Sequence, residues 1–411
     1  MNSELSRRQF VATGALAMSA LSYGKVLGAN DRLRIGIIGC GDRGLHVHMP
    51  GLNAHAKTIA LEIVAVSDPH RLAREEAAAK AKEWYGREAK QFVCHRDLLA
   101  MPEVDAVTVV SPDHHHSRQL YDIAKAKKDV YIEKPLGMNM DDLLKAVDAA
   151  KEAGIVVQNG TQLRSFATFT GCREVYRSGI LGKVARIEQC RNGERPYWYG
   201  YLKDIKEENV DWKEFQGHRP PRPFTPARYS GWYGYRDYTD GPVANLGCHY
   251  LDLVHYITGA TYPKSCVCMG GTFTWKDEHQ FDCTDHVEAV WEYPEGFLVH
   301  YSTNFGNGSG STFKIFGDAG VIDMVNWGAP VLTAEGGTKN RGSIKGKQPI
   351  KEIERPDHFL DWLKCVRERG TPNAPLEAGY QHAVACLMAV RSMDTGKRTV
   401  YDPEKRKIRD G

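Results

Sequence analysis

Two residues that can move a proton stand far apart in the sequence. Lys134 follows a short apolar run, in Glu133-Lys134-Pro135, and His249 lies in the second half of the chain. A lysine at the end of a strand can exchange the proton of a substrate hydroxyl. The alternative interpretation of Lys134 is a surface cation paired with Glu133.

His249 belongs to a predicted helix, 242–256, that has proline in its first turn. Asn245 and His249 are four residues apart, so they share a helix face, and Asp252 follows on the same side. Asparagine cannot take a proton and can only orient a hydroxyl or a water. Of Asn245 and His249, only His249 can exchange a proton. The alternative for His249 is a buried structural histidine bonded to Asp252.

A glycine-rich turn follows the first apolar run of the fold. Residues 33–38 lead into Gly39-Cys40-Gly41-Asp42-Arg43-Gly44, a match to G-x-G-x-x-G, and Asp68 follows the next apolar run. Between a strand and a helix, such glycines let the backbone approach a pyrophosphate, and an acid about 20 residues further on accepts from ribose hydroxyls. This predicts NAD rather than NADP, because a carboxylate repels a 2′-phosphate. His70 and Arg71 could soften that preference.

The elements that must position these groups alternate between strand and helix. Apolar runs typical of buried strands cover residues 33–39, 61–66, 106–110, 129–132 and 155–157, and helical patterns lie at 71–84, 116–127 and 141–153. Repeated units of this length predict a doubly wound parallel sheet over residues 31–160. Ligands of such sheets bind beyond the carboxyl ends of the strands. Ser111-Pro112 and Glu133-Lys134 fall at two of these ends.

The histidine and cysteine patterns do not indicate a metal site. Three consecutive histidines, 114–116, cannot all point one way in a regular element, and no carboxylate pattern accompanies them. The ten cysteines are scattered without a C-x-x-C pair, so we expect buried, reduced thiols. Cys266 and Cys268 should share one face of a strand.

The second half of the chain predicts a different kind of sheet. Runs rich in Val, Tyr, Phe and Thr recur at 184–190, 266–274, 287–293, 298–303, 312–316 and 321–325. No long helical pattern separates the later runs, which predicts an antiparallel meander. Two helical patterns, 358–369 and 377–393, close the chain.

The segment 195–240 is rich in aromatic residues, arginine and proline, and it has no clean period. A structured loop of this length is usually functional. Its aromatic residues are Tyr197, Trp198, Tyr199, Tyr201, Trp212, Phe215, Phe224, Tyr229, Trp232, Tyr233, Tyr235 and Tyr238. Aromatic faces with interleaved donors suit a carbohydrate ring, with Tyr235 and Arg236 as candidate contacts. The same composition also suits an oligomer interface.

Together these motifs resemble the glucose-fructose oxidoreductase / inositol dehydrogenase / MocA family. The resemblance rests on the glycine motif, Ser111-Pro112 with His116, Glu133-Lys134-Pro135, residues 160–165 and residues 240–252. It implies an α/β protein with an N-terminal Rossmann domain, 31–160, and a C-terminal α/β domain, 161–411. The open, mostly antiparallel sheet of the second domain would support the active site or a homo-oligomer interface.

The resemblance also implies site residues. Lys134, His249 and Asn245 would be catalytic, although sugar dehydrogenases of the family usually carry aspartate at the position of Asn245. The implied substrate contacts are Arg164, Tyr235, Arg236, Asn245 and His249. The implied cofactor contacts are Gly39, Cys40, Gly41, Asp42, Arg43, Gly44, Asp68, Ser111, Pro112, His116, Glu133, Lys134 and Gln162.

Composition narrows the class of protein and its partners. The chain has 411 residues, a net charge of +3 and 26% charged residues, and it contains no apolar run long enough to span a membrane. The charge balance argues against a nucleic-acid partner. We expect a small-molecule carbohydrate as partner, together with further copies of the chain.

Residues 1–30 predict a targeting signal rather than part of the fold. Ser6-Arg7-Arg8-Gln9-Phe10 precedes a mild apolar stretch and the small residues Gly28-Ala29, the order of a twin-arginine signal. This predicts a periplasmic protein; an amphipathic helix that stays on a cytoplasmic protein is the alternative. No NAD pool renews a cofactor outside the cytoplasm, so export would require NAD to remain tightly bound.

Three functions follow, in order of preference. The first is an NAD-dependent oxidoreductase that acts on a secondary hydroxyl of a sugar or glycoside. The second is a redox-neutral enzyme that cleaves a glycoside or modifies a sugar through a transient ketone with tightly bound NAD. The third is a non-catalytic sensor that keeps the cofactor, and the presence of Lys134 argues against it.

Overall fold

The computed structural model of the protein describes residues 32–339 and 343–411. The predicted twin-arginine segment therefore lies outside the described residues. Within them, two sheets follow one another along the chain.

The first sheet is parallel throughout and confirms the doubly wound prediction. Its strands are β1 (Leu33–Ile38), β2 (Leu61–Ser67), β3 (Lys90–Phe92), β4 (Ala106–Val109), β5 (Asp129–Ile132) and β6 (Val157–Asn159), in the order β3-β2-β1-β4-β5-β6. Every residue of β4 and β5 is buried, as expected of central parallel strands. The sequence did not indicate the edge strand β3, whose Lys-Gln-Phe is largely exposed.

Helices connect these strands: α1 (Met49–Ala54), α2 (Ala56–Ile59), α3 (Arg71–Tyr85), α4 (His95–Leu99), α5 (His116–Lys125) and α6 (Met140–Ala153). Before α1, residues Gly44–His48 form one wide π-helical turn. Pro50 lies in the first turn of α1, where its missing N–H is tolerated.

The second sheet has ten strands. They are β7 (Val184–Asn192), β8 (Ser265–Gly271), β9 (His286–Tyr293), β10 (Phe297–Asn304), β11 (Thr312–Gly317), β12 (Val321–Asp323), β13 (Val331–Thr333), β14 (Lys347–Pro349), β15 (Thr399–Asp402) and β16 (Lys407–Asp410). The order is β14-β13-β12-β11-β7-β10-β9-β8-β15-β16. On β8, Cys266 and Cys268 are both buried while Val267 between them is exposed, which confirms their shared face.

The predicted simple meander is wrong in one pairing. β7 lies between β10 and β11, parallel to β10 and antiparallel to β11. The residues between β10 and β11 therefore carry the chain across the end of β7. A period of two residues reports which side of a strand is buried, but not which strand lies beside it.

The remaining helices are α7 (Ala167–Arg177), α8 (Trp212–Gln216), α9 (Pro226–Ser230), α10 (Pro242–Asn245), α11 (Gly247–Thr258), α12 (His358–Glu368) and α13 (Leu376–Thr395). Helices α7 and α13 pack against α11, and α13 also packs on β8. α12 returns to the first sheet, where the buried Trp362 packs edge-on against Tyr131 with ring centroids 5.9 Å apart. Among the described residues, no helix is both long and apolar enough to cross a bilayer.

Candidate active site and cofactor cleft

The three motif glycines of the turn after β1 serve different purposes. Gly39 has a φ of +97°, and a Cβ there would lie 2.6 Å from the carbonyl carbon of Val110. A Cβ on Gly44 would collide with the carbonyl oxygen of Gly39, so glycine lets the helical turn pack on the strand end. A Cβ on Gly41 would meet no atom within 4 Å, because this residue faces an open cleft. This exposed backbone fits a pyrophosphate.

Asp68 follows the end of β2 and lines the same cleft. Its carboxylate accepts hydrogen bonds from the backbone N–H groups of Cys40 and His70, both at 2.7 Å. Burial raises the pKa of Asp68, and the two N–H groups oppose that shift. The Arg71 guanidinium is engaged with Glu75 and Asn209, at 2.9 and 2.6 Å. A 2′-phosphate would therefore meet a carboxylate beside an arginine that already has partners.

The cleft has a volume of about 640 Å³ and lies beyond the carboxyl ends of β1, β2 and β4. It brings together most of the predicted cofactor residues: Gly39, Cys40, Gly41, Asp42, Arg43, Asp68, Ser111 and Pro112. Within the described residues, the cleft lining does not include Gly44, His116, Glu133, Lys134 or Gln162, nor the other two predicted catalytic residues, Asn245 and His249. The nucleotide cleft and the predicted proton-transfer groups are thus neighbouring but distinct parts of the site.

Residues 195–240, here called the cover segment, form the opposite wall of the cleft. Lys203 Nζ lies 2.8 Å from Asp42 Oδ1 in the glycine turn. Val210 forms an isolated antiparallel bridge with His70, next to the contact between Asn209 and Arg71. These contacts tie the cover segment to both ends of the predicted dinucleotide motif. The sequence predicted a functional loop but did not show what it covers.

Most aromatic residues of the cover segment pack on one another. Trp198, Phe215, Tyr235 and Tyr238 are nearly inaccessible and form a small core with Phe281, Cys283 and Phe305. The aromatic residues that reach the cleft are Tyr201, Phe215, Tyr229, Trp232 and Tyr233. The predicted substrate contacts lie elsewhere: Tyr235 donates to His279 O at 2.8 Å, and Arg236 pairs with Asp394 at 2.9 Å. Tyr233 is better placed than Tyr235 to contact a ligand in the cleft.

Lys134 and Asn245 are in direct contact. Lys134 Nζ donates to the backbone carbonyl of Asn245 at 3.2 Å and lies 3.5 Å from Asn245 Oδ1. The predicted continuous helix 242–256 is wrong, because the chain breaks at Leu246 between α10 and α11. After the break, His249 N donates to Leu246 O, and the Asn245 carbonyl serves Lys134 instead. The helix break thus creates the acceptor that holds the lysine.

His249 follows in the first turn of α11. Burial lowers the pKa of His249 to about 3, with a smaller contribution in the same direction from Lys134. Its Nδ1 is buried and has no hydrogen-bond partner among the described residues. A buried nitrogen without a partner in this position is free to bond a ligand. The alternative, a histidine bonded to Asp252, does not fit, because Arg164 Nε bonds both oxygens of Asp252 at 2.8 and 2.9 Å.

Comparison with known proteins agrees with this geometry. Residues 33–161 match the family model described as "Oxidoreductase family, NAD-binding Rossmann fold", and residues 200–401 match that of the same family's C-terminal alpha/beta domain. Myo-inositol 2-dehydrogenase of Thermotoga maritima is 34% identical over 364 residues, which is 87% of this chain and 94% of the relative. The chain belongs to the Gfo/Idh/MocA oxidoreductase family.

Two further similarities extend this result. 2,7-Anhydro-N-acetylneuraminate hydratase of Escherichia coli is 25% identical over 202 residues, covering 49% of this chain and 46% of that protein. The crystal structure of the WlbA dehydrogenase from Bordetella pertussis, in complex with NADH and UDP-GlcNAcA, superposes with a TM-score of 0.67 at 20% identity. That match covers 90% of this chain and 99% of the other, and it shows the shared fold.

In this oxidoreductase, the carboxylate before Lys134 has its own partners. Glu133 Oε1 lies 2.6 Å from Arg43 Nε and 3.0 Å from His48 Nε2. Arg43 holds the pKa of the buried Glu133 well below its usual value, against the effect of burial. The alternative in which Glu133 neutralises Lys134 in an exposed pair therefore does not describe this site. No sequence pattern pointed to His48, which is wholly buried.

Several other predicted residues have structural partners. Arg164 is 11% exposed and held by Asp252, so its role in substrate binding stays a prediction. Ring nitrogens of His116 lie 2.7 Å from Pro135 O and 2.8 Å from Ser111 O, which joins two strand ends. Gln162 presents a buried Oε1 with no partner among the described residues, as expected of a group that awaits a ligand.

The histidine run does not gather into one site. His114 and His115 both direct Nε2 at the carbonyl oxygen of Phe215, at 2.9 and 2.8 Å, while His116 points elsewhere. A different group brings metal-ligand types together: Cys94, His95 and Glu214 have ligand atoms within 4.8 Å of one another. The sequence spacing could not indicate this group, because Glu214 comes from the cover segment. The expectation that the oxidoreductase needs no metal stays a prediction.

Proposed function

We propose that the protein oxidises a secondary hydroxyl of a sugar or glycoside, with NAD as the hydride acceptor. The contact between Lys134 and Asn245, next to the uncharged His249, carries the proposal. NAD fits this chain because the open Gly41 backbone and the Asp68 carboxylate lie in one cleft of suitable size. When bound, it would take up the hydride from the carbinol carbon.

The chain's own residues then have separate tasks. With a pKa of about 3, His249 stays uncharged at neutral pH, and in the tautomer protonated at Nδ1 it donates a hydrogen bond to the substrate oxygen and so orients the hydroxyl, whose own proton stays available to Lys134. Lys134 is the group left to exchange the hydroxyl proton, and Asn245 holds it from the backbone carbonyl. Asn245 itself orients and transfers no proton.

Single-turnover formation of NADH tests this function. NAD-loaded protein is mixed with a panel of polyols, sugars and methyl glycosides, and absorbance at about 340 nm is followed in the parent and in Lys134→Ala. We expect at least one secondary alcohol to reduce the NAD bound to the parent. The same alcohol should reduce the NAD bound to Lys134→Ala about 10²–10⁴ times more slowly. Equal rates of NAD reduction in the two proteins would show that Lys134 does not take part in the reaction. If no member of the panel reduces the bound NAD, the proposed substrate class is wrong.

A redox-neutral cycle is the second candidate. The cover segment is tied across the cleft by Lys203, Asn209 and Val210, an arrangement that favours retention of NAD. A ketone acidifies the neighbouring C–H, so elimination of a glycosidic oxygen can follow, and return of the hydride completes the cycle. The hydratase similarity is consistent with such chemistry. NADH that forms and then returns to NAD within one turnover supports this candidate, whereas NADH that only accumulates leaves the plain dehydrogenase.

Retention itself has a direct measurement. The small molecule that stays with purified protein is released by denaturation and identified by its mass and absorbance. We expect NAD or NADH in near-stoichiometric amount. Protein that purifies without nucleotide and binds added NAD reversibly would contradict tight retention but not dehydrogenase activity.

We also propose a homo-oligomer that uses the outer face of the ten-stranded sheet. Val267 and Met269 on β8 and Leu298 on β10 expose 47%, 78% and 48% of their surface. Exposed apolar side chains on one face of a sheet favour contact with a second copy of the chain. Met269→Glu should lower the mass measured by light scattering, and an unchanged mass would place the interface elsewhere.

Export by the twin-arginine route remains part of the proposal. A fusion of residues 1–35 to a reporter that is active only after folded export should give signal. Replacement of Arg7 and Arg8 by lysine should abolish that signal. A reporter that stays in the cytoplasm with the native arginines would contradict the localisation.

A further inference from the structure

Asp113 is a buried carboxylate that the reaction outlined above does not use. It opens the short 3₁₀ turn Asp113–His115 after β4 and is 3% exposed. Thr239 Oγ1 donates to Asp113 Oδ2 at 2.7 Å. The Asn245 amide nitrogen lies 3.3 and 3.1 Å from the two carboxylate oxygens. Asp113 therefore belongs to the group that surrounds Lys134.

The contact with Asp113 decides how the Asn245 amide is oriented. An ionised carboxylate accepts hydrogen bonds and donates none, so the NH₂ side of the amide must face it. The amide oxygen then points the other way, to Tyr197 OH at 3.2 Å and Lys134 Nζ at 3.5 Å. Both of these groups can donate, so each hydrogen bond is satisfied in this orientation only.

We propose that Asp113 is a positioning residue that acts through Asn245 to present an oxygen to Lys134. Positions 113 and 245 then work as a pair, one carboxylate and one amide, in which the residue at 245 always directs an oxygen to the lysine. The inference rests on the proposed function for its catalytic consequence, but the pairing itself does not depend on any substrate.

The pairing accounts for an amide at position 245 of this chain. An aspartate there, with Asp113 retained, would place two carboxylates about 3 Å apart in a buried site, where like charges prevent both from ionising. Asparagine removes that conflict and keeps an oxygen for Lys134. A double swap, Asp113→Asn together with Asn245→Asp, would satisfy the same contacts, with the charge moved to the other partner.

Other ionisable groups also face Asp113. Burial raises the pKa of Asp113, and Lys134 and His116 oppose that shift. The ionisable neighbours from all surrounding elements are Lys134, His116, Asp240, Tyr197, Tyr233, Cys248 and Cys283. Asp113 helps to raise the pKa of Asp240, so that titration does not cancel between proteins that differ at position 113. Each effect of Asn245→Asp is therefore taken between two proteins with the same residue at position 113.

The test is a four-protein cycle of the parent, Asp113→Asn, Asn245→Asp and the double swap. Urea unfolding is measured from pH 5 to pH 9. Two adjacent carboxylates share a proton, so the folded-state pKa of the pair is raised above its unfolded value. The stability of Asn245→Asp is then present at low pH and lost as pH rises. We expect its urea midpoint to fall toward pH 9, and the same substitution in the Asp113→Asn background to cause no such fall.

Activity supplies the second measurement, with myo-inositol, D-glucose and methyl β-D-glucoside as probes in single-turnover NAD reduction. Asn245→Asp should lose rate on the alkaline side of its pH profile, whereas Asp113→Asn should lose rate at all pH values. The double swap should recover about tenfold over the poorer single variant. Thr239→Val removes a hydrogen bond that lowers the pKa of Asp113, so it should shift the acid side of the profile toward neutral pH but should not produce the alkaline loss expected of Asn245→Asp.

Each outcome supports or overturns a stated part. If Asn245→Asp lowers the urea midpoint equally at every pH and with either residue at position 113, the contact between Asp113 and Asn245 is wrong. Coupling in stability without recovery of rate in the double swap overturns the positioning role. If no probe reduces the NAD bound to the parent, the proposed substrate class fails. The rate at which acetic anhydride acetylates Lys134, followed by mass spectrometry, then replaces the rate of NAD reduction as the measurement. The positioning role is supported if a single variant changes the acetylation rate of Lys134 by about threefold or more and the double swap reverses that change. If no such change is seen, the positioning role is wrong.

Discussion

The two walls of the cofactor cleft are built in different ways. The wall from residues 33–161 consists of strand ends and helix starts, where the backbone ladder of a buried parallel sheet fixes each group. The cover segment holds its shape with short turns around a cluster of aromatic rings, and it reaches the first wall through a few polar contacts. The first wall belongs to the NAD-binding domain, and we propose that the second wall controls how long the nucleotide stays.

The comparison extends to one buried carboxylate from each of the two segments. Asp68 accepts two backbone N–H bonds, while Asp240, at the end of the cover segment, has an Oδ2 without a partner among the described residues. A satisfied carboxylate belongs to a preformed binding site. An unsatisfied one stores unfavourable energy that a ligand or a proton can relieve.

The largest expected effect separates the chemistry from the scaffold. Lys134→Ala should lower turnover by about 10²–10⁴-fold, because it removes the group that we propose exchanges the hydroxyl proton and that the Asn245 carbonyl holds. NAD binding should persist, since Lys134 is not part of the cleft lining. Single-turnover kinetics and calorimetric NAD titration measure the two quantities.

The matched control lies at the other end of the same strand. Lys128 precedes β5 and donates to the carbonyl oxygens of Met101 and Val104, far from the strand's carboxyl end. Lys128→Ala should lower the urea midpoint while leaving the rate per folded molecule close to that of the parent. A comparable loss of rate in both variants would mean that the effect of Lys134 is structural.

Asp240 should give the next largest effect, in stability and with a definite pH dependence. Burial raises the pKa of Asp240 to about 7, although Arg236 and Arg219 oppose the shift. Since the folded-state pKa lies above the unfolded value, the favourable contribution is complete below about pH 4 and is lost as pH rises through 7. The free energy of unfolding of Asp240→Asn should therefore equal that of the parent at pH 4 and exceed it at pH 8 by up to about 4 kcal/mol. Urea unfolding at pH 4 and pH 8 measures this difference between the variant and the parent. The same difference at both pH values would contradict a raised pKa for Asp240.

How much of this could be foreseen from the sequence differs between the walls. Gly39, Gly41, Gly44 and Asp68 follow a local rule of strand, turn, helix and acid, so their placement after β1 and β2 was predictable, while their roles stay predictions. The contact of Lys134 with Asn245 was foreseen only as proximity. The break at Leu246, which frees the acceptor carbonyl, leaves no mark in a helical period that continues across it.

The cover segment could not be foreseen in the same way. Its composition suggested a carbohydrate platform, yet most of its rings bury one another, because aromatic side chains gain more from mutual burial than from exposure. The pairs Asp113 with Asn245 and Arg43 with Glu133 join residues about a hundred positions apart. Such pairs depend on tertiary topology, which no local pattern reports.

Asp68→Ala addresses the first wall. It should weaken NAD binding by about 1–3 kcal/mol, because it removes the ribose acceptor and also leaves the N–H groups of Cys40 and His70 unpaired. Asp68→Asn keeps one acceptor oxygen and should lose less. It should also improve binding of NADP relative to NAD, since the repelling charge is gone. Calorimetry on protein stripped of nucleotide measures all three, and an unchanged NAD affinity in the alanine variant would remove Asp68 from the site.

The smallest expected effect tests the second wall. Lys203 and Asp42 are both largely exposed, with side-chain exposures of 55% and 46%, so their ion pair is weak and screened by salt. Lys203→Ala should speed NAD dissociation by less than about fivefold, with little change in association, because the pair acts only after the nucleotide has entered. The difference from the parent should shrink at high salt. Lys213→Ala, an exposed lysine of the same segment, is the control and should dissociate NAD at the parental rate. If Lys203→Ala and Lys213→Ala release NAD equally fast at low salt, the cover segment does not retain the cofactor through its contact with the glycine turn.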